Sequence, residues 1–248
     1  MARLRMVVVA FFLAEAILLL NPVQAVLAHY RSWHLDLNAR GDFLYLNLPS
    51  LGLQVWREGQ LRAVFPVAIG RLGQETPVGY YRIETRRTRP TWYPPQGGEP
   101  VPPGPANPLG SRFLGLNLPM YGLHGTNDPA SIGRAVSRGC IRLREEDIQR
   151  LWALTYPGMP VRIVYERVQA DSGPWGSSLL LWPDVYRRQP VRPSHLAKAM
   201  PPLAREMRLA AEALSLVEDG PVLVVMAAAP SSISLHIREK GVVREASN

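Results

Sequence analysis

Cysteine is the scarcest reactive residue in this chain of 248 residues, which contains only Cys140. One cysteine excludes an intramolecular disulfide framework. It also excludes a structural zinc site, because such a site needs about four ligands that usually include several Cys or His. The remaining alternatives are an intermolecular bridge, a reactive free thiol and a buried inert thiol. The neighbours Ser137, Arg138 and Arg142 are polar or basic, which argues against the buried alternative.

Several patterns of other enzyme and binding classes are also missing. No Gly-rich loop ends in Gly-Lys-Ser/Thr, so a phosphate-binding P-loop is excluded. Neither Ser-x-x-Lys nor Gly-x-Ser-x-Gly occurs, which excludes two common serine nucleophile patterns. The basic residues are scattered and form no DNA-binding motif, so the formal charge of +8 favours anionic cell-wall polymers or membrane headgroups over nucleic acid. We predict no metal, no cofactor and no nucleic-acid partner.

Residues 1–25 have the pattern of an export signal. Arginines precede an apolar stretch at residues 6–20, and a small-residue cleavage pattern ends at Ala25, with Ala28 as a second cleavage position. Glu15 interrupts the apolar stretch, which makes it a poor permanent membrane span. We therefore predict an exported protein of the periplasm or cell envelope. It would contact the membrane only through this segment, if the segment stays uncleaved.

The next part of the chain alternates short apolar runs with turns, as strands do. A hairpin turn is predicted at Glu58–Gly59, and a second turn at Thr76–Gly79 precedes another strand. REEDIQRLWAL (144–154) predicts a short helix with an acidic first turn, and MPVRIVYE (159–166) predicts a final strand. These patterns favour a mainly β domain with one or two short helices.

Residues 168–248 differ in pattern and are predicted to form a mixed α/β C-terminal extension. A helix is expected near residues 196–216, followed by strands at 221–227 and 232–237. The predicted organisation is thus a signal segment, a main domain over residues 33–167 and this extension.

Residues 89–110 form a segment rich in proline and glycine, which we call the Pro-rich loop. In isolation it would be an interdomain linker. Strand-like sequence lies on both sides of it, however, and Trp92 and Tyr93 are unusual in a plain spacer. Long loops inside compact domains are usually functional or disordered. We favour a loop that frames a binding cleft and presents Trp92 and Tyr93 to a ligand.

His124 and Cys140 are the strongest catalytic candidates, at the two ends of the stretch HGTNDPASIGRAVSRGC (124–140). A thiol attacks only as thiolate, and its reference pKa of ~8.5 leaves a few per cent ionised at neutral pH. His124 can take the thiol proton, and Arg138 or Arg142 can hold the thiolate charge. Such a thiol is expected to react with alkylating agents faster than a free thiol near about pH 6 to 7.

The residues around this pair suit a substrate site. Gly139 lacks a Cβ and lets the backbone approach a substrate closely, so the amides of Gly139 and Cys140 are candidate donors to an oxyanion. The residues predicted to bind the substrate are Arg138, Arg142, Ser137, Thr126 and Asn127. The last three are expected to shape the turns beside it rather than to react.

The whole stretch resembles the catalytic signature of the L,D-transpeptidase domain of the YkuD type. The matching segments are His124-Gly125-Thr126-Asn127, Ser131-Ile132-Gly133 and Ser137-Arg138-Gly139-Cys140-Ile141-Arg142. Upstream, FPVAIGRLGQETPVGYYRI (65–83) is similar to the family's strand, Thr-Pro-x-Gly turn and following strand. The Pro-rich loop is similar to the insertion of Gram-negative-type members. The resemblance covers about residues 33–166.

This resemblance implies a fold, a reaction and roles. It implies a β-sandwich-like domain with Cys140 as nucleophile beneath the Pro-rich loop. His124 would be proton donor and acceptor, with the backbone carbonyl of Gly125 orienting its ring. Cys140 would form a thioester with a stem tetrapeptide of peptidoglycan, release D-alanine, and pass the acyl group to an amine of another stem or of an envelope protein. The implied role is in cell-wall assembly and cell shape, without a cofactor.

Two alternatives remain open at this point. With water as acceptor, the same residues would make an L,D-carboxypeptidase or a cross-link hydrolase. A non-catalytic wall-binding protein that kept the fold is the other alternative, against which the intact His124 and Cys140 pair argues. One position departs from the family pattern, because Arg138 stands where many members have a second histidine.

Overall fold

The computed structural model of the chain describes residues 5–9, 41–173, 176–188, 190–199, 214, 215, 217, 222–227, 234–239 and 242–247. The chain divides into two compact units, residues 38–165 and residues 1–37 together with 166–248. The predicted signal segment lies outside the described residues except for strand β1 (Arg5–Val9). Within the described ranges, no helix is long and apolar enough to span a membrane.

Residues 38–165 form a mainly β unit. Its described strands are β2 (Phe43–Asn47), β3 (Gly52–Arg57), β4 (Gln60–Pro66), β5 (Ile69–Gly70), β6 (Gly79–Thr88), β7 (Arg112–Leu116), β8 (Gly122–His124), β9 (Ala135–Ser137), β10 (Ile141–Arg142) and β11 (Pro160–Val164). A short 3-10 helix (Pro129–Ser131) precedes β9, and helix α1 (Glu145–Leu154) follows β10.

Eight of these strands form one sheet in the order β10-β8-β7-β6-β11-β2-β3-β4, and β5 pairs separately with β9. Ala68, just after β4, exchanges two backbone hydrogen bonds of 2.9 Å with Arg142 in β10. Since β4 and β10 are the two end strands, this exchange brings the ends of the sheet together, and the sheet curls on itself. The prediction of a mainly β, sandwich-like domain with short helices is confirmed.

Local sequence explains the principal elements of this sheet. Every residue of β2 is buried, which accounts for its continuous apolar run. The hairpin turn between β3 and β4 lies at Glu58 and Gly59, as predicted, and both have positive φ (53° and 72°). Two positive φ angles define a type I′ turn, whose twist matches that of the paired strands. Helix α1 begins with three acidic residues and buries Ile148 and Leu151.

The Pro-rich loop lies within the first unit and has a folded structure of its own. Trp92 and Val101 exchange two backbone hydrogen bonds of 2.9 Å, so the loop turns back on itself as a short hairpin. A linker would not need such pairing.

Asn107 holds the two arms of this loop together, and its side chain is fully buried. Its Nδ2 donates to the carbonyl oxygens of Pro90 (2.8 Å), Val101 (3.0 Å) and Pro102 (3.2 Å). Its Oδ1 accepts from the backbone N–H of Leu109 at 2.8 Å. Prolines have no backbone N–H, so the loop has too few backbone donors for its carbonyl groups. The side-chain amide of Asn107 supplies the missing donors.

The second unit contains a sheet with the order β12-β13-β14-β1-β15-β16. Its further elements are β12 (Val168–Gly173), β13 (Gly176–Leu181), helix α2 (Pro193–Ala199), β14 (Val222–Ala227), β15 (Ser234–Glu239) and β16 (Val242–Ser247). A partly buried ion pair of 3.3 Å joins Arg167 to Asp184. The two predicted strands correspond to β14 and β15, while β12, β13 and β16 were not predicted. Most of the predicted helix lies outside the described residues.

We expect Asn107→Ala to lower the free energy of unfolding by about 2 kcal/mol, because it strands buried carbonyl groups without a donor. Urea denaturation measures this, and limited proteolysis should show faster cleavage within the Pro-rich loop. Asn127→Ala is the matched control, since its Nδ2 makes one exposed hydrogen bond, to Ala106 O (3.0 Å). Equal stability of the two variants would contradict the assigned role of Asn107.

Candidate active site

His124 is the last residue of β8 and is buried, with 4% of its surface exposed. It lies opposite Phe113 of β7, whose ring stacks on the imidazole at 6.2 Å between centroids. Its Nδ1 lies 2.6 Å from the backbone oxygen of Gly125. A carbonyl oxygen can only accept, so Nδ1 carries the hydrogen and Nε2 presents its lone pair. This is the tautomer that a general base acting through Nε2 requires.

Close packing holds the Gly125 carbonyl in position. A Cβ on Gly125 would lie 2.6 Å from Glu145 Oε2 and 3.1 Å from Gly110 Cα, so no larger residue fits. Glu145 is itself fixed, because its Oε2 accepts from the backbone N–H of Ser111 at 3.1 Å. The orientation of His124 therefore depends on the first turn of helix α1.

Cys140 immediately precedes β10, which pairs in parallel with β8. Arg142 lies opposite His124 in this register. Continuing this register back to Cys140 sets it opposite Gly122, on the same face as His124, and the Gly122 hydrogen bond to the Cys140 sulfur agrees with that placement. Strand spacing and rise place the two Cα atoms roughly 8 Å apart, within reach of both side chains. The sheet register thus brings the two predicted catalytic residues together.

Residues 137–140, which we call the nucleophile turn, are fixed by two hydroxyl groups. Ser137 Oγ donates to Cys140 O at 2.6 Å and accepts from the Gly139 N–H at 3.0 Å. Thr76 Oγ1 donates to Gly139 O at 2.9 Å. Gly139 has φ +112°, and a Cβ there would lie 2.5 Å from the ring of Tyr121, so only glycine fits. The predicted oxyanion donor Gly139 N–H is therefore engaged by Ser137.

The thiol of Cys140 lies between two backbone groups of the segment that leads into β8. Its Sγ donates to Met120 O at 3.3 Å, and the Gly122 backbone N–H bonds to the sulfur. Burial raises the pKa of the Cys140 thiol, while the Gly122 hydrogen bond and the charge of Arg142 oppose that rise. Met120 has a positive φ of 72° and is 79% exposed.

The pKa of His124 is lowered to about 4, chiefly because burial disfavours the charged ring. The Gly125 hydrogen bond raises this pKa, and the Arg142 charge lowers it further. A lowered histidine pKa and a raised thiol pKa both favour the uncharged forms. Near neutral pH the resting pair is therefore a thiol and a neutral imidazole. The neutral pair argues against the expectation of fast alkylation near about pH 6 to 7. The sequence could not indicate this, because it does not show that the pair is buried.

The other predicted residues connect the site to the Pro-rich loop. Arg138 Nη2 donates to Gln96 Oε1 at 3.2 Å on the cysteine side. Asn127 Nδ2 donates to Ala106 O at 3.0 Å on the histidine side. The Pro-rich loop therefore contacts both flanks of the Cys140 and His124 pair. This placement supports a loop that frames the site.

Thr126 and the two aromatic residues of the loop have less direct placements. Thr126 Oγ1 accepts from the Asp128 N–H at 3.0 Å and shapes the turn after His124. Trp92 is half-buried, whereas Tyr93 is 70% exposed. Tyr93 therefore presents apolar surface to solvent, as a ligand-contacting residue would.

A cleft of about 350 Å³ lies between the Pro-rich loop and the turn after His124. It is lined by Arg89, Pro103, Gly104, Pro105, Asn107, Gly110, Ser111, Thr126, Asn127 and Glu145. Among the described residues, no group of three or more His, Cys, Asp or Glu could hold a metal ion.

Sequence reasoning missed Thr76, Met120, Gln96 and Asn107. Thr76 lay in a segment interpreted only as a turn, and its contact with Gly139 joins residues far apart in sequence. Asn107 lay among prolines and glycines, where a polar residue suggests solvent exposure. A signal was available only for Thr76, as the first residue of the Thr-Pro-x-Gly segment.

Comparison with known proteins gives one family match. The model of the L,D-transpeptidase catalytic domain (YkuD) matches residues 42–163. "Probable L,D-transpeptidase YbiS" of Escherichia coli K12 is 39% identical over 127 residues, which cover 46% of this chain and 41% of that protein. "Probable L,D-transpeptidase YcfS" of the same strain is 35% identical over 160 residues, covering 58% of this chain and 50% of that protein. The chain thus spans about half the length of the curated relatives it matches.

Among solved structures, the chain is similar to L,D-transpeptidase 3 of Mycobacterium tuberculosis in complex with a faropenem-derived adduct. The two are 17% identical with a TM-score of 0.43, over 50% of this chain and 60% of the other.

We expect Arg142→Gln to shift the pH dependence of Cys140 alkylation to higher pH, because the Arg142 charge lowers the pKa of the thiol. The rate of iodoacetamide labelling, followed by intact-protein mass spectrometry, measures this. Arg138→Gln is the matched control. Arg138 is also two residues from Cys140 along the chain, but its guanidinium is hydrogen-bonded to Gln96. Coincident profiles for Arg142→Gln and the parent would show that Arg142 does not act on the thiol.

Proposed function

Because residues 42–163 belong to the YkuD family of L,D-transpeptidase catalytic domains, we propose that this chain is a peptidoglycan L,D-transpeptidase that acts through a Cys140 thioester. The acyl donor is a stem tetrapeptide, and D-alanine is released. The acceptor is an amine of a second stem, which gives a 3→3 cross-link, or an amine of an envelope protein. The predicted signal segment and the absence of any need for a nucleotide suit this reaction outside the cytoplasm, in the periplasm or cell envelope.

The observation that carries the proposal is the paired placement of His124 and Cys140 on one face of the sheet. The β8–β10 register sets that placement. Nδ1 is held by the Gly125 carbonyl, so Nε2 is directed as a base. A nucleophile, a base and a group that orients the base are the parts that a covalent acyl transfer requires.

The first half-reaction begins from the neutral pair. The Cys140 thiol leaves Met120 O and transfers its proton to Nε2 of His124 as sulfur attacks the carbonyl between the third residue and D-alanine. Arg142 stabilises the developing thiolate, since its charge already favours that form. The imidazolium then protonates the departing D-alanine amine as the C–N bond breaks, which leaves a thioester on Cys140.

The tetrahedral intermediate carries an oxyanion that needs backbone donors. In the described part of the chain the Cys140 N–H donates to no protein group. The Gly139 N–H is engaged by Ser137 Oγ and must share that hydrogen with an oxyanion. We assign the Cys140 amide as the principal donor.

The second half-reaction repeats these roles with the acceptor. Neutral His124 deprotonates the acceptor amine, which attacks the thioester carbonyl, and the thiolate of Cys140 departs and is reprotonated. The low pKa of His124, about 4, means that the ring is neutral, and so able to accept a proton, when this step begins at neutral pH. The thioester conserves the energy of the cleaved amide, so no nucleotide is consumed.

We expect a carbapenem to add its own mass once to the protein, because the family implies that the nucleophilic cysteine opens the lactam ring and stays acylated. Intact-protein mass spectrometry measures the adduct. Cys140→Ala should show none, and His124→Ala should acylate roughly 10²- to 10⁴-fold more slowly, as loss of a general base predicts. A folded parent protein that forms no adduct would exclude the thiol nucleophile.

Incubation with disaccharide-tetrapeptide identifies the acceptor. Transfer predicts cross-linked dimers and free D-alanine, both of which chromatography with mass spectrometry detects. Cys140→Ala should abolish both products. Tripeptide with no dimer would show that water is the acceptor and that the chain is a carboxypeptidase or hydrolase.

A further inference from the structure

Arg138 lies two residues before Cys140, and its guanidinium makes one weak hydrogen bond. Its Nη2 donates to Gln96 Oε1 at 3.2 Å, and both side chains are exposed. Among the described residues the guanidinium has no other partner. A single hydrogen bond to a neutral amide, open to water, contributes little and uses one of five N–H groups. The guanidinium is therefore available to a stronger acceptor.

Fixed backbone presents both partners of this contact. On one side, Ser137 Oγ binds the Gly139 N–H and the Cys140 carbonyl and so fixes the nucleophile turn. On the other, the Gly97 N–H donates to Pro94 O at 3.0 Å and closes a β-turn that contains Gln96. Because the backbone is already ordered, binding a ligand here carries no added cost of ordering the backbone.

The two arginines around Cys140 have different tasks. Arg142 lowers the pKa values of both Cys140 and His124, so its charge acts on the reacting pair. Arg138 is not among the charges that shift either group. It lies between Cys140 and the Pro-rich loop.

The donor in the proposed function carries an anionic group close to the attacked bond. Cys140 attacks the carbonyl carbon that precedes the terminal D-alanine. The carboxylate carbon of that D-alanine is three bonds from the attacked carbon. A long side chain two residues from the nucleophile can reach this region.

We propose that Arg138 binds the C-terminal carboxylate of the donor stem peptide, replacing its hydrogen bond to Gln96 with a charge-assisted, bidentate contact. This inference rests on the proposed function. Charge-assisted hydrogen bonds are about twice as strong as neutral ones, and the guanidinium fork matches a carboxylate. Arg138 is thus a specificity residue, which selects donors with a free C-terminal carboxylate over donors that end in an amide.

The test compares two donors with the full chain: disaccharide-tetrapeptide and the same molecule with a C-terminal carboxamide. The parent should prefer the carboxylate donor in kcat/KM. Arg138→Gln should lower kcat/KM for the carboxylate donor by about 10- to 100-fold, as loss of a charged hydrogen bond predicts. It should change the carboxamide donor little. Arg138→Lys should give an intermediate loss, because it keeps the charge and loses the fork.

Two control variants isolate the carboxylate contact. Arg134→Gln removes the same charge from an exposed position before β9 and should leave both donors unchanged. Gln96→Ala should retain the preference, because Gln96 is only the resting partner of Arg138.

Equal losses on both donors in Arg138→Gln, or no loss on either, would overturn the inference. A parent that consumes both donors without preference would overturn it while leaving the proposed function intact. A parent that consumes neither donor would overturn the proposed function and this inference together.

Discussion

The parallel pairing of β8 with β10 is the contact on which the site depends. Strand β10 contains only two residues, Ile141 and Arg142, too few to hold a position alone. It is secured on one side by β8, where the Leu143 N–H also donates to His124 O at 2.9 Å, and on the other by Ala68. The hydrogen bonds that close the curled sheet therefore also hold β10, and with it Cys140, in place beside the strand that contains His124.

Burial then decides the protonation of the pair. The low-dielectric surroundings disfavour charge on His124 and on Cys140, and they outweigh the help that each receives from a backbone hydrogen bond. In the proposed reaction, charge separation is thus deferred until a substrate supplies a carbonyl for the sulfur to attack. The positive charge of Arg142 favours the thiolate and disfavours the imidazolium, so it lowers the pKa of both Cys140 and His124.

The sequence predicted what local patterns determine. The turn at Glu58–Gly59, helix α1 and the mainly β character follow from alternation, turn residues and an acidic first turn. The pairing of His124 with Cys140 was predicted from the motif that contains both residues. No local pattern in the sequence indicates how far apart they lie in the fold.

The remainder depended on contacts between residues distant in sequence. Asn107 clamps a loop through carbonyls that lie up to 17 positions away. The hydrogen bond from Thr76 to Gly139 spans 63 positions. The protonation of the pair depended on burial, which only the folded chain reveals.

The sheltered, protonated thiol of Cys140 has a consequence for the working lifetime of the protein. Peroxides and disulfides attack the thiolate form of cysteine, so a thiol with a raised pKa is oxidised slowly. The chain has no second cysteine that could trap a sulfenic acid as an internal disulfide and so return it to the thiol by exchange. For the proposed nucleophile in the proposed oxidising surroundings, slow oxidation of the resting thiol would take the place of an internal resolving cysteine.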